Sequence, residues 1–220
     1  MTIKSSRRAL AKQIASIVGG ISIFGPALAQ KLLSTPAQVE GPFYPPGQLA
    51  ETDVDLTMLE GHTESATGDV ILVRGRVTDT DGNPLSGAQV DIWQANHVGR
   101  YSHPEDPNPA PLDPNFQGIG ITHTDAEGMY GFKTIIPAAY PLKFLAEGND
   151  GWRARHIHFK VAHENASSLT TQMYFEGDPL LEQDGGYNEA PEDQRHLLVT
   201  SPKPDEETGL PIHRFDIALA

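Results

Sequence analysis

Short segments with alternating apolar and polar residues recur along this chain, and this period of two restricts its fold more than any other feature. VILVRGRVTD places Ile71, Val73 and Val77 on one side of an extended strand, because successive side chains in a strand point to opposite faces. Similar alternation appears in AQVDIWQAN, MYGFKTI, HIHFKV, TTQMYF and HRFDIAL. Turn residues such as DGNPLSG separate these segments, and a long helical stripe is missing. The pattern predicts an all-β sandwich or barrel.

Three longer segments lack the alternation and are predicted to be loops. Residues 96–116, NHVGRYSHPEDPNPAPLDPNF, contain five prolines. A loop of this length in a compact domain is usually functional or disordered, and its aromatic residues favour an ordered, functional loop. Residues 138–151 include a Tyr-Pro pair, and residues 178–193 are acidic with a Gly-Gly pair.

The first 29 residues are typical of an export signal. Two adjacent arginines follow serines in an acid-free start, an apolar stretch comes next, and ALAQ offers a cleavage site after Ala29. Glycine and proline interrupt the apolar stretch, which is shorter than the roughly 20 residues of a membrane span. We expect a twin-arginine signal over residues 1–29, one mature domain over residues 30–220, and a periplasmic or secreted protein. An uncleaved N-terminal anchor is the alternative.

Charge and cysteine content limit the partners. The residues after the leader include 12 basic and 29 acidic ones, which gives a formal charge of −17. This surface argues against binding to nucleic acid or to anionic membranes. Since the chain has no cysteine, disulfides and thiolate metal sites are excluded. A metal site would need nitrogen and oxygen ligands.

The segment WRARHIHFK carries the first candidate ligands. His156 and His158 are two residues apart, so in a strand both imidazoles leave the same face. Ile157 and Phe159 point the other way and can enter the core. Taken alone, the pair is weak evidence for a metal site, because two solvent-exposed histidines would give the same pattern.

Other side chains would have to complete such a site. Other histidines, such as His97 and His103, would give a zinc or facial-triad iron site together with carboxylates. Alternatively, two tyrosinates would join the imidazoles on Fe(III), because the ion's charge can remove the proton of a phenol whose free pKa is about 10. Tyr101 and Tyr140 lie in predicted loops, whereas Tyr130 and Tyr174 lie in strands and are expected to pack. Spacing does not decide between these sites.

Six segments in order resemble the intradiol ring-cleavage dioxygenases: IWQANHVGRY, PLDPNFQGIGITHTDAEGMYGFKT, IPAAYP, WRARHIHF, TQMYFEGDPL and RFDIALA. The resemblance covers about residues 38–220. Within the family, the sequence is most similar to the iron-binding β chain of protocatechuate 3,4-dioxygenases. It implies an antiparallel β-sandwich with long active-site loops and one non-haem Fe(III) per chain. By this resemblance the metal ligands are Tyr101, Tyr140, His156 and His158.

The resemblance also implies residues that act on the substrate. Arg153 would stabilise negative charge on a bound catecholate, and Tyr140 would leave the iron and accept a substrate proton. Gln172 would line the pocket. The VEGPFYP motif would place Tyr44 near the pocket mouth, with a packing turn as the alternative. Leu142 stands where the protocatechuate enzymes usually have tryptophan, so the ring substituent of the substrate stays open.

The implied reaction is intradiol cleavage of a catechol by dioxygen to a cis,cis-muconate-type dicarboxylic acid. A homo-oligomer and a partner dioxygenase chain are both compatible with it. Two alternatives remain. GRVTDTDGNPLSGAQVDIW also resembles transthyretin-like binding modules without catalytic activity. A zinc or copper site on His156, His158 and His103 would need neither loop tyrosine.

Overall fold

The structure, a computed structural model, describes residues 31–45 and 52–220. The expected export signal over residues 1–29 lies outside the described residues. The described part of the chain forms twelve β-strands, one short α-helix and three 3₁₀ turns. None of these helical segments has the length and apolar character that crossing a bilayer requires.

The elements follow one another in short steps. The strands are β1 (Val70–Asp79), β2 (Gln89–Trp93), β3 (Ile119–His123), β4 (Met129–Ile135), β5 (Tyr140–Pro141), β6 (Trp152–Arg153), β7 (His156–His163), β8 (Ala166–Phe175), β9 (Val199–Thr200), β10 (Pro202–Pro204), β11 (Pro211–Arg214) and β12 (Ile217–Leu219). Helix α1 is Gly185–Glu189, and the 3₁₀ turns are Leu142–Phe144, Leu181–Gln183 and Glu192–Leu198.

Two five-stranded sheets form the sandwich. The first has the order β10-β11-β1-β12, with β4 also paired to β1, and the second has the order β3-β2-β7-β8-β9. Strands β5 and β6 form a separate two-stranded sheet. Most pairs are antiparallel, but β1 runs parallel to β11 and β12, and β8 runs parallel to β9. Parallel neighbours need long connections, which the intervening chain provides. The predicted sandwich is confirmed, and its sheets are mixed.

The inner faces of the two sheets carry the main core, as the alternation predicts. Ile71, Val73 and Val77 of β1 are fully buried and belong to one cluster with Ile157 and Phe159 of β7. Full burial of such a side chain stabilises the fold by about 1.5–3 kcal/mol. Since β7 turns these residues inward, its alternate side chains must point outward from the second sheet.

That outer face is covered instead of solvated. Four outward side chains, from the start of β7 and the end of β8, are at most 3% exposed: His156, His158, Gln172 and Tyr174. The N-terminal segment, residues 36–45, runs along β8, where the Gln38 amide donates to Thr170 O at 2.8 Å and Gln172 Nε2 donates to Val39 O at 2.9 Å. The fold therefore creates a closed polar site on the outside of a sheet.

Candidate metal centre

The four predicted metal ligands come together on this covered face. Tyr101 comes from the long loop (residues 96–116), Tyr140 from β5, and both histidines from β7. The Tyr101 hydroxyl lies 3.3 Å from His156 Nε2. The ring centroids of His156 and His158 are 4.8 Å apart, and Tyr140 lies 5.7 Å from His156 and 5.8 Å from Tyr101. All four side chains are buried.

Both histidines are neutral, which is the form that binds metals. His156 Nδ1 lies 2.7 Å from Ala154 O, so that nitrogen donates a proton and Nε2 presents its lone pair toward Tyr101. His158 Nδ1 is buried without a hydrogen-bond partner. Burial, with the positive charge of Arg153, holds the pKa of both imidazoles well below the usual histidine value.

The tyrosines require a cation before they can ionise. Burial raises the pKa of Tyr101 well above the ordinary phenol value, and it raises the pKa of Tyr140 as well. Two buried phenols and two neutral imidazoles therefore carry no charge among themselves. Phenolate oxygen is a hard donor, and a highly charged ion can remove the phenol proton. The donor set thus suits a hard, highly charged metal ion.

Polar side chains within the long loop hold Tyr101 in place. Asp106 Oδ2 accepts from the Tyr101 amide at 2.7 Å, and Asn108 Nδ2 donates to Gly99 O at 2.8 Å. Gly99 has a φ of +85°, and a Cβ there would lie 2.8 Å from Ala139 O. Glycine is needed here because the loop turns left-handed against the segment that carries Tyr140. The loop is ordered, as expected.

Arg153 lies buried beside the four donors, so it is not the side chain of a surface ion pair. Its Nε donates to Asp184 Oδ2 at 2.9 Å, and Nη2 donates to Gln172 Oε1 at 2.5 Å and lies 3.3 Å from the Tyr174 hydroxyl. Burial alone would lower the pKa of Arg153, but Tyr140 and Asp184 raise it above the ordinary arginine value. The guanidinium therefore stays charged, and Gln172 contacts it directly.

Asp184 and Gly186 were missed by sequence reasoning. Asp184 is fully buried and caps α1 by accepting from the Tyr187 amide at 2.9 Å, while its other oxygen accepts from the Ala154 amide at 2.7 Å. A Cβ on Gly186 would lie 2.8 Å from Arg153 Nη2, so glycine leaves room for the guanidinium. The available signal was the Asp-Gly-Gly run of the acidic loop, where aspartate precedes a helix.

Tyr174 packs in its strand as expected, but it also takes part in the polar network. It is fully buried, and its hydroxyl lies 3.0 Å from both Gln38 Oε1 and Gln172 Oε1. Its ring centroid lies 5.9 Å from that of His156. The strand position explains the packing and the contact with Gln172, whereas the contacts with Gln38 and Arg153 join residues distant in sequence.

Tyr44 and Leu142 occupy the surroundings of the site. The Tyr44 hydroxyl donates to Asp91 Oδ2 at 2.8 Å, and its ring edge contacts Trp93 at a centroid distance of 4.9 Å. Burial and this contact with Asp91 raise the pKa of Tyr44 to about 12. Leu142 is half-buried and begins the 3₁₀ turn that follows Tyr140 and Pro141. Both remain predicted substrate contacts.

A cleft of about 520 Å³ opens beside Tyr101. Its wall combines aromatic side chains, including Phe43, Trp93, Tyr101 and Phe116, with aliphatic and polar residues. Aromatic and apolar walls with a few polar groups are typical of small-molecule sites. The size and lining suit a single aromatic ring with substituents.

The zinc or copper alternative lacks its third ligand in the described residues. Over residues 31–45 and 52–220, no three His, Asp or Glu side chains are grouped to hold a metal ion. His103 instead lies against Phe43, at a ring-centroid distance of 5.7 Å. The binding-module alternative offers no reason for two tyrosines and two histidines to converge in a buried site.

Comparisons with known proteins agree with the geometry. A family model described as Dioxygenase matches residues 39–220. The chain is 44% identical over 183 residues to the protocatechuate 3,4-dioxygenase beta chain of Burkholderia cepacia, covering 81% of this chain and 76% of that protein. It is 37% identical over 155 residues to catechol 1,2-dioxygenase 2 of Acinetobacter lwoffii, covering 67% of this chain but only 53% of that relative.

A solved structure shares the fold. The 3-chlorocatechol 1,2-dioxygenase of Rhodococcus opacus superposes with a TM-score of 0.66 at 28% identity, covering 87% of this chain and 74% of that one. The match includes the sandwich and extends over most of both chains. The chain belongs to the intradiol ring-cleavage dioxygenase family.

Proposed function

We propose that this chain opens the ring of a catechol between its two hydroxyl-bearing carbons, using dioxygen, to give a cis,cis-muconate-type dicarboxylic acid. The observation that carries the proposal is the convergence of Tyr101, Tyr140, His156 and His158 in one buried site. Family membership supports the reaction class. The names of the relatives, which act on protocatechuate, catechol and chlorocatechol, support a catecholic substrate.

One Fe(III) per chain would be held by the two tyrosines and the two histidines. When bound, it would supply a Lewis acid that fixes both oxygens of a catecholate and makes the ring reactive toward dioxygen.

Tyr140 is suited to accept a substrate proton at its hydroxyl oxygen. Burial raises the pKa of this phenol, and Arg153 opposes part of the rise. The two residues are directly paired in the β5–β6 sheet. The Tyr140 oxygen can therefore exist as phenolate beside a cation and as phenol once it has taken a proton, which are the two states that a general base must alternate between.

Arg153 would stabilise negative charge that develops on the substrate ring. Its guanidinium is fixed by Asp184 and Gln172 before any substrate arrives. Preorganised charge in a buried site is more effective than mobile charge in water, because no reorganisation is needed during the reaction. Gln172 thus contributes by orienting Arg153.

Iron content of histidine variants tests the proposal. His156→Ala and His158→Ala should each purify with little iron, because three ligands would remain. His213→Ala is a matched control, since His213 is also buried but lies on β11, bonded to Thr200. It should keep stoichiometric iron. Full iron occupancy in either of the first two variants would refute the ligand set.

The sequence also suggests the compartment in which the protein acts. We propose that the chain is exported through a twin-arginine signal in residues 1–29, supported by the paired arginines and the cleavage motif. Replacing Arg7 and Arg8 by lysine should leave the protein in the cytoplasmic fraction, whereas the unaltered chain should appear in the periplasm. Equal distribution of both proteins would contradict this.

The assembly is proposed to be a homo-oligomer or a complex with a second dioxygenase chain. The support is the relative in Burkholderia cepacia, which is named as a beta chain. Light scattering on the purified chain should give a mass above that of one chain, or should do so after a partner chain is added. A monomer under both conditions would contradict the proposal.

A further inference from the structure

The two candidate histidine ligands are held in different ways. The His156 ring is fixed by the hydrogen bond from Nδ1 to Ala154 O at 2.7 Å. His158 Nδ1 is buried and has no hydrogen-bond partner. The ring torsion of a histidine has broad minima, so some other contact must set the orientation of the His158 imidazole.

Trp93 provides that contact. Its indole lies parallel to the His158 imidazole, with ring centroids 4.7 Å apart and an interplanar angle of 9°. Trp93 on β2 and His158 on β7 are direct partners across the sheet, and cross-strand partners share one face. The indole is 1% exposed, so it cannot move aside without disturbing the packing around it.

Tyr44 holds the indole in turn. The Tyr44 ring meets Trp93 edge-on, at 4.9 Å and 82°. The Tyr44 hydroxyl is anchored on Asp91 Oδ2 at 2.8 Å, and Lys160 Nζ lies 4.2 Å above the ring. The chain of contacts therefore runs from the sheet surface through Tyr44 and Trp93 to His158.

We propose that Trp93 is a positioning residue for His158, and that Tyr44 acts through Trp93 by keeping the indole parallel to the imidazole. This inference rests on the proposed ligand role of His158. It gives Tyr44 a structural task in the metal site in addition to the predicted substrate contact. It also explains why an imidazole without a hydrogen-bonded Nδ1 can still have one orientation.

The test uses Trp93→Leu and the milder Tyr44→Ala, because the larger change carries more risk to folding. Phe132→Leu is the matched control, since Phe132 is an aromatic side chain buried in the other sheet. Two readouts are compared: the rate at which a chelator removes Fe(III), and the histidine side-chain ¹H–¹⁵N spectrum of the metal-free protein.

Iron loss should be roughly tenfold to hundredfold faster in Trp93→Leu, the range typical when a group that orients a metal ligand is removed, and faster by a smaller factor in Tyr44→Ala. The His158 ring signals of the metal-free variants should broaden, while those of His156 stay sharp. Phe132→Leu should change neither. Sharp His158 signals in both site variants would overturn the proposal.

Failure of the proposed function would look different. If the unaltered protein retained no iron, the ligand assignment would be wrong, but the spectrum of the metal-free protein would still decide whether Trp93 orients His158.

Discussion

Replacing Asp184 by asparagine should strongly destabilise the fold around the site. The Arg153–Asp184 pair is nearly dry, with side-chain exposures of 10% and 0%. The carboxylate accepts from Arg153 Nε and the Ala154 amide through one oxygen, and from the Tyr187 amide through the other. Asparagine has the same shape but only one acceptor oxygen, so at least one of these donors must face an NH₂ group.

The expected magnitude comes from the loss of the charged partner. Removing one member of a buried ion pair costs about 3–5 kcal/mol, because the other charge stays buried without compensation. With a urea m-value of about 2 kcal/mol/M, the midpoint of unfolding should fall by about 1.5–2.5 M. Most of the cost would arise from Arg153, which cannot lose its proton.

Urea unfolding of the metal-free protein, followed by tryptophan fluorescence, measures this directly. Asp216→Asn is the control, since Asp216 forms an exposed ion pair with Arg214 at 2.8 Å. Exposed pairs contribute less than about 1 kcal/mol. If Asp184→Asn lowered the free energy of unfolding by no more than this control, the buried pair would not anchor Arg153, and the reasoning would be refuted.

Three further predictions concern the same network. Arg153→Ala should keep its iron but turn over roughly 10²-fold more slowly, as for other lost charge-stabilising donors; unchanged steady-state turnover would make Arg153 purely structural. Gly186→Ala should lower turnover by a smaller factor with iron content unchanged, because the new Cβ would displace the guanidinium; a wild-type rate would show that Arg153 tolerates the shift. The metal-free protein should be most stable above about pH 6.5 and lose stability as the pH falls through the lowered pKa values of His156 and His158, because the unfolded chain then binds protons first. In a variant with both His156→Asn and His158→Asn, the free energy of unfolding in urea should depend less steeply on pH. An unchanged pH dependence would show that these two histidines do not cause the loss of stability.

The sequence predicted the parts of the fold that local periodicity controls. Alternation placed Ile157 and Phe159 in the core and turned His156 and His158 together onto the opposite face. This follows from strand geometry alone. The convergence of Tyr101 on the same point depended on the family resemblance, because spacing says nothing about where a long loop returns.

Local sequence patterns could not predict contacts between distant segments. Asp184 meets Arg153 only because α1 packs against the end of β6, and an acidic loop gives no sign of which carboxylate is buried. The hydrogen bond from the Tyr44 hydroxyl to Asp91 also joins residues 47 positions apart, which no local pattern connects. The parallel pairing of β1 with β11 and β12 could not be predicted either, because the alternation of apolar and polar residues is the same whichever way a neighbouring strand runs.

A visible spectrum of the purified, iron-loaded protein, recorded before and after anaerobic addition of catechol, tests the central claim most directly. Tyrosine ligands on Fe(III) predict a broad charge-transfer band that moves to longer wavelength when catechol binds. A colourless protein with full metal occupancy would contradict the account, because no tyrosinate would then hold the metal.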